Sequence, residues 1–170
     1  MTSELSNSVR RFREEMEHVD GLVHVLLKGH LLIEEALTRI LEQHLFHRQH
    51  LEDARLTFHQ KLALCRALCL RKDRLGEWEL LAAINALRNE IAHNLNSSNR
   101  EKKITRVKEL YVREASGHEA KEESDSTIVF YACAHCAGFL VSFENDAKAF
   151  RKLVHSMDRN LNKDLPEFGL

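Results

Sequence analysis

The sequence predicts an all-α protein: an up-and-down bundle of five or six helices forming one domain over residues 1–161. Three observations predict it. Only one Pro and six Gly interrupt 170 residues, of which 44% are hydrophobic. In several segments apolar residues recur every three or four positions, the period of a helix that buries one stripe. Turn and cap residues such as Asp20-Gly21, Thr57 with Gln60, and Ser124-Asp125 fall between those segments.

The first segment, 5–18, mixes Val9, Phe12 and Met16 with many charges, so it reads as a partly exposed helix that stops at Asp20-Gly21. A long amphipathic helix follows over 22–46. Leu22, Leu26, Leu27, Leu31, Ile33, Ala36, Leu37, Ile40, Leu41 and Leu45 give it a wide apolar face. Glu34 and Glu35 near its middle read as solvated or as partners for a Lys or Arg. His44, His47, His50 and His59 gather around the next connection, where scattered imidazoles without Cys or carboxylate spacing read as solvated side chains and not as a metal site.

Thr57 and Gln60 form a capping box for a helix over 58–70 that buries Phe58, Leu62, Leu64, Cys65, Leu68 and Cys69. A turn over 71–76 leads into the next helix, where Trp78 is a core or interface anchor. That helix carries Leu80, Leu81, Ile84, Leu87, Ile91 and Leu95 on one stripe and ends near residue 95. The polar stretch 94–99 stops it. A helix over 100–114 then buries Ile104, Val107 and Leu110, with Tyr111 at the edge and a basic face of Lys102, Lys103, Arg106 and Arg113.

Residues 115–125 are small and acidic, a surface loop. Ser124 or Asp125 caps a final long helix over 126–160, with a possible bend site at Gly138. Residues 162–170 form a flexible tail. Cys133-Ala134-His135-Cys136 lies among Val129, Phe130, Ala132, Phe139 and Leu140, which makes its cysteines core thiols and not a zinc knuckle. Cys65 and Cys69 read the same way.

Composition limits function as well. A net charge of -1 gives no global attraction to nucleic acid, so any RNA contact must come from a local patch. The start of the chain is polar and charged, without a secretory pattern. The longest apolar run, 128–143, contains His135 and Ser142 and falls short of the ~20 residues a bilayer needs. The expectation is a cytoplasmic protein with reduced thiols, no membrane, no metal and no cofactor.

The chemistry concentrates at the end of the 80–95 helix. Asn85, Asn89 and His93 lie four apart and stack along one stripe, with Arg88 beside them. A guanidinium forks onto phosphate oxygens, and an imidazole gives or takes a proton near neutral pH. The spacing Arg-x4-His also occurs at Arg13/His18, Arg39/His44 and Arg113/His118. Context separates Arg88/His93: Asn89 follows the Arg, Ala92 precedes the His, and the pair closes a strongly periodic helix. Five residues apart, Arg88 and His93 diverge by roughly 140° about the axis, so either the long Arg88 side chain reaches round or a second copy completes the site.

Arg88-Asn89-Glu90-Ile91-Ala92-His93 resembles the signature of the HEPN superfamily, R-[N/D/H]-x-x-x-H. The layout from Phe58-His59-Gln60-Lys61-Leu62-Ala63-Leu64 through Cys69-Leu70 into the signature helix is similar to its mannitol-repressor-like branch. The resemblance spans roughly residues 22–95. It implies a helical, commonly dimeric domain, often a metal-independent endoribonuclease of toxin or defence systems, with Arg88, Asn89 and His93 as the catalytic set. RNA is the implied substrate, and an antitoxin or regulatory protein an expected partner.

For the RNA backbone, the candidate patch is Arg100, Lys102, Lys103 and Arg106, close after His93; its alternative is a solvated face balanced by Glu101, Glu109 and Glu114. The alternative function is a non-catalytic helical regulator or protein-binding module, as members of the mannitol-repressor-like branch are. In the branch silenced by adenylylation the signature continues to His-x-Tyr, whereas Leu95 stands at that place in this chain.

Overall fold

The computed structural model of the chain describes residues 21–70, 72–93, 99–115 and 123–163. These residues form six helices and no strand: α1 Gly21–His44, α2 Gln49–Asp53, α3 Phe58–Leu68, α4 Glu77–His93, α5 Arg100–Glu114 and α6 Asp125–Leu161. The expected helix over 5–18, the turn at 94–98, and the parts of the loop and tail at 116–122 and 164–170 lie outside the described residues. So does Leu95, so the signature helix is described only to His93. The short α2, among the His-rich residues, was not expected.

Local chemistry explains the boundaries. Thr57 stands in extended backbone, its Oγ1 accepts from the Gln60 backbone N–H, and Gln60 Oε1 accepts from the Thr57 backbone N–H. This capping box starts α3. Ser124 does the same for α6 by accepting from the Thr127 N–H. Helix α6 then runs unbroken through Gly138 for 37 residues.

Contacts between helices set their directions. Gly29 of α1 lies against Cys133 of α6, Arg39 reaches Glu144, and Arg151 reaches the Leu45 carbonyl, so α1 and α6 run parallel. Phe58 stacks on His30, Lys61 pairs with Glu34 and Cys65 donates to the Leu37 carbonyl, so α3 runs with α1 as well. Helix α4 runs against them: Asn85 meets His30, while Trp78 packs on Phe143 near His44. Arg113 pairs with Glu79, which turns α5 back along α4. The up-and-down alternation therefore holds through α3, α4 and α5, and the returning 45–57 connection lets α1 and α3 share a direction.

The core draws on every long helix. Leu26, Ile33, Leu37 and Ile40 of α1 meet Leu80, Leu81, Ile84 and Leu87 of α4, Val107 of α5, and Ile128, Val129, Ala132, Cys136 and Leu140 of α6. Trp78 is buried as the anchor of α4; its ring packs edge-on against Phe139, and its Nε1–H donates to the Lys72 carbonyl at 2.6 Å. Buried Cys65, Cys133 and Cys136 are free thiols within this core. Tyr111 is buried, not at an edge. Leu27, Leu31, Leu45, Leu64 and Leu68, expected inside, are exposed, because the faces turned to other helices are narrower than the apolar stripes.

Candidate functional site

Helix α4 is described as far as His93, and its polar stripe divides in two. Asn85 turns inward, where its Oδ1 accepts a hydrogen bond from His30 Nε2 at 3.0 Å. Asn89 and His93 face solvent, and Arg88 is half-buried between these levels. Arg88 Nη1 donates to Asn89 Oδ1 at 3.2 Å. A permanent cation and an amide thus meet on the last turns of α4, one turn before an exposed imidazole.

His30 is the residue the sequence reading missed. It is 4% exposed, stacks on Phe58 with ring centroids 4.4 Å apart, and sets Nδ1 4.0 Å from Glu34 Oε2. Glu34 is held from the other side by Lys61 Nζ at 2.9 Å, the Lys partner expected for it. Burial pushes the His30 imidazole below its usual value of 6.5; the bond to Asn85 works against this, the Arg88 charge adds to it, and Glu34 opposes it. The neutral ring is the state this surrounding favours. A signal was present in the sequence: His30 occupies the apolar stripe that runs Leu22, Leu26, Ile33, Leu37, where a polar residue needs a buried partner.

The basic helix divides as well. Arg100 is half-buried, Lys102 is exposed and Lys103 is half-buried, all in the first turn after the stretch that follows His93. Lys102 and Lys103 make no ion pair among the described residues. Arg106 lies further along and faces carboxylates, with Glu79 at 3.6 Å and Glu109 at 3.6 Å. Arg113 also pairs with Glu79 and with Glu114, and Lys108 pairs with Asp125. The structure brings Arg100, Lys102 and Lys103 to the His93 side of the α4–α5 hairpin and draws Arg106 toward the start of α4.

Other polar groups lie away from this end. His135 Nε2 is 3.7 Å from Glu77 Oε1 in a half-buried pair beside Tyr111. Among the described residues no group of three or more His, Cys, Asp or Glu could hold a metal. His44 Nδ1 bonds to the Ile40 carbonyl, and the His47 and His50 rings meet edge-on 6.2 Å apart.

Two cavities, of about 560 and 420 Å3, open elsewhere. The larger lies between His44, the end of α3 and Phe143 to Phe150 of α6; the smaller lies between Lys28, Leu32 and Phe130. Neither of these two is lined by Arg88, Asn89 or His93. No family model, curated protein or solved structure matches this chain.

Proposed function

We propose that the end of α4 is the catalytic site of a metal-independent endoribonuclease of HEPN type, working as a homodimer, with toxin or defence chemistry as its setting. The observation that carries this reading is the joint presence of Arg88, Asn89 and His93 on the last turns of α4, with Arg88 bonded to Asn89 and the imidazole open to solvent. Lys102, Lys103 and Arg100 nearby supply cations for the flanking RNA backbone. Because one α4 sends Arg88 and His93 roughly 140° apart, the paired ends of two copies assemble the site.

In this mechanism one His93 takes the proton from a 2'-hydroxyl as its oxygen attacks phosphorus. The His93 of the other copy protonates the departing 5'-oxygen, and Arg88 neutralises the charge gained by the phosphoryl oxygens. The products are a 2',3'-cyclic phosphate end and a 5'-hydroxyl end, made in the cytoplasm without metal. An antitoxin or regulatory protein is the corresponding partner.

A second reading, a non-catalytic helical regulator or protein-binding module, is favoured by one specific feature: Leu31, Leu32 and Phe130 are each more than half exposed. The two readings separate in one experiment. Purified protein, Arg88→Ala and His93→Ala are incubated with total cellular RNA in excess chelator, and product ends are identified. Cleavage by wild type alone, with cyclic phosphate ends, is the expected result. Intact RNA with the folded wild-type dimer removes the nuclease reading in favour of the binding module.

A further inference from the structure

The basic face of α5 is divided by a residue of another helix. Arg106 Nη2 lies 3.6 Å from Glu79 Oε2, and Arg113 Nη2 lies 3.1 Å from the same oxygen. Two guanidiniums about two turns apart on α5 thus converge on one carboxylate oxygen of α4. Their other edges are held within α5, with Arg106 Nη1 3.6 Å from Glu109 Oε2 and Arg113 Nε bonded to Glu114 Oε1. The fit is built into the α4–α5 hairpin: Gly76, just before α4, leaves room for the Glu114 carboxylate, which a Cβ there would overlap.

Charge differs between the two ends of α5. Around Arg106 and Arg113 three carboxylates, those of Glu79, Glu109 and Glu114, face two cations, so this stretch is negative in sum. The first turn instead presents Lys102 and Lys103, which make no ion pair among the described residues. Lys103 and Arg113 stand about 15 Å apart along the helix. That exceeds the ~8 Å screening length at physiological salt, so the two ends act on a polyanion as separate fields.

We infer that Glu79 sets the far limit of the RNA footprint: it fills the place where Arg106 and Arg113 would otherwise take one backbone phosphate, and so confines RNA to the Lys102 and Lys103 end beside His93. The importance for RNA rests on the function proposed above; the closing of the two guanidiniums by Glu79 acts on any polyanion. A phosphate fits that place because its oxygens accept the same forked donors as a carboxylate. Stability is not what Glu79 supplies. All three side chains are about half exposed, and ion pairs in that setting contribute little to folding.

The test measures oligouridine affinity of the full chain against salt for wild type, Glu79→Ala and Glu35→Ala, the last removing an equal charge from an exposed position of α1. Glu79→Ala should bind more tightly, with the slope of log K against log salt steeper by about 0.7, the increment of one phosphate contact on a single strand. Glu35→Ala should keep the wild-type slope. In the background Arg106→Gln/Arg113→Gln the gain from Glu79→Ala should vanish. Should Glu79→Ala fail to fold, Glu79→Gln decides, with a smaller gain of the same sign. A slope equal to that of wild type, or a gain that survives the loss of both arginines, overturns the proposal.

A second arm replaces RNA by immobilised heparin and reads the salt at which each variant elutes. Glu79→Ala should elute at higher salt than both wild type and Glu35→Ala, and this difference should disappear in the Arg106→Gln/Arg113→Gln background. Equal elution of Glu79→Ala and Glu35→Ala, or no retention of either, overturns the proposal. A wild type that binds no RNA removes the nuclease reading, while heparin elution still decides whether Glu79 closes the two guanidiniums.

Discussion

His30 shows how a single buried group makes stability depend on pH. Its folded pKa is lowered from 6.5, chiefly by burial, so below 6.5 the unfolded chain takes up a proton that the folded chain resists. Stability contributed by neutral His30 is therefore present above 6.5 and lost as pH falls from 6.5 toward the lower folded value. Glu144 acts in a lower window. Burial alone would raise its carboxyl, but Lys148 at 2.7 Å and Arg39 at 3.2 Å outweigh burial and hold it below 4.5, so its stabilising charge is lost only in stronger acid. Urea midpoints measured at pH 7.5, 6.5 and 5.5 should fall across this series in wild type and fall less in His30→Gln. Arg55 is a second residue under local constraint: it follows α2 with φ 46°, in the left-handed region that favours glycine. Arg55→Gly should raise the melting temperature by a few degrees, reflecting up to about 1 kcal/mol.

Between elements, the parallel pair α1 and α6 sets a close constraint. Gly29 has no side chain to spare there: a Cβ would stand 2.7 Å from Cys133 Sγ and 2.9 Å from its Cβ. Neither helix backbone can yield cheaply, so Gly29→Ala should cost roughly 1–3 kcal/mol, read as a lower urea midpoint with the circular dichroism of a helical protein retained. Arg151 links the same pair at its far end. Its Nη1 reaches the carbonyls of Glu42, Gln43 and Leu45, which the end of α1 would otherwise leave to solvent. Arg151→Met keeps the aliphatic stem and removes these charged bonds; a loss of about 1.5–3 kcal/mol in denaturant unfolding is expected. Helix α6 is long and apolar enough by composition to cross a membrane. Of its apolar residues, Ile128, Val129, Ala132, Cys136, Leu140 and Phe143 pack into the bundle core, whereas Phe130 and Val141 are exposed.

For the whole molecule, the quantity that matters is the number of copies. A site shared between two α4 ends predicts a particle of twice the 19.7 kDa chain mass at micromolar concentration, measured by sedimentation or light scattering. A single-chain mass under those conditions counts against the two-copy site. The helices themselves were legible in advance: α5 was expected and found over Arg100–Glu114, and the α3 cap at Thr57 and Gln60 was readable as a box. Arg88, Asn89 and His93 were readable as a constellation on one helix end. These features depend on residues within about four positions of one another, and such spacing is written in the chain. Tertiary structure alone decided that α1 and α6 run parallel, that Glu79 draws Arg106 from the basic face, and that Asn85 leaves the polar stripe to meet His30, 55 residues away. The physical reason is the same each time: a side chain's partner is the nearest group able to satisfy its charge or hydrogen bond, and only the packed helices determine which group is nearest.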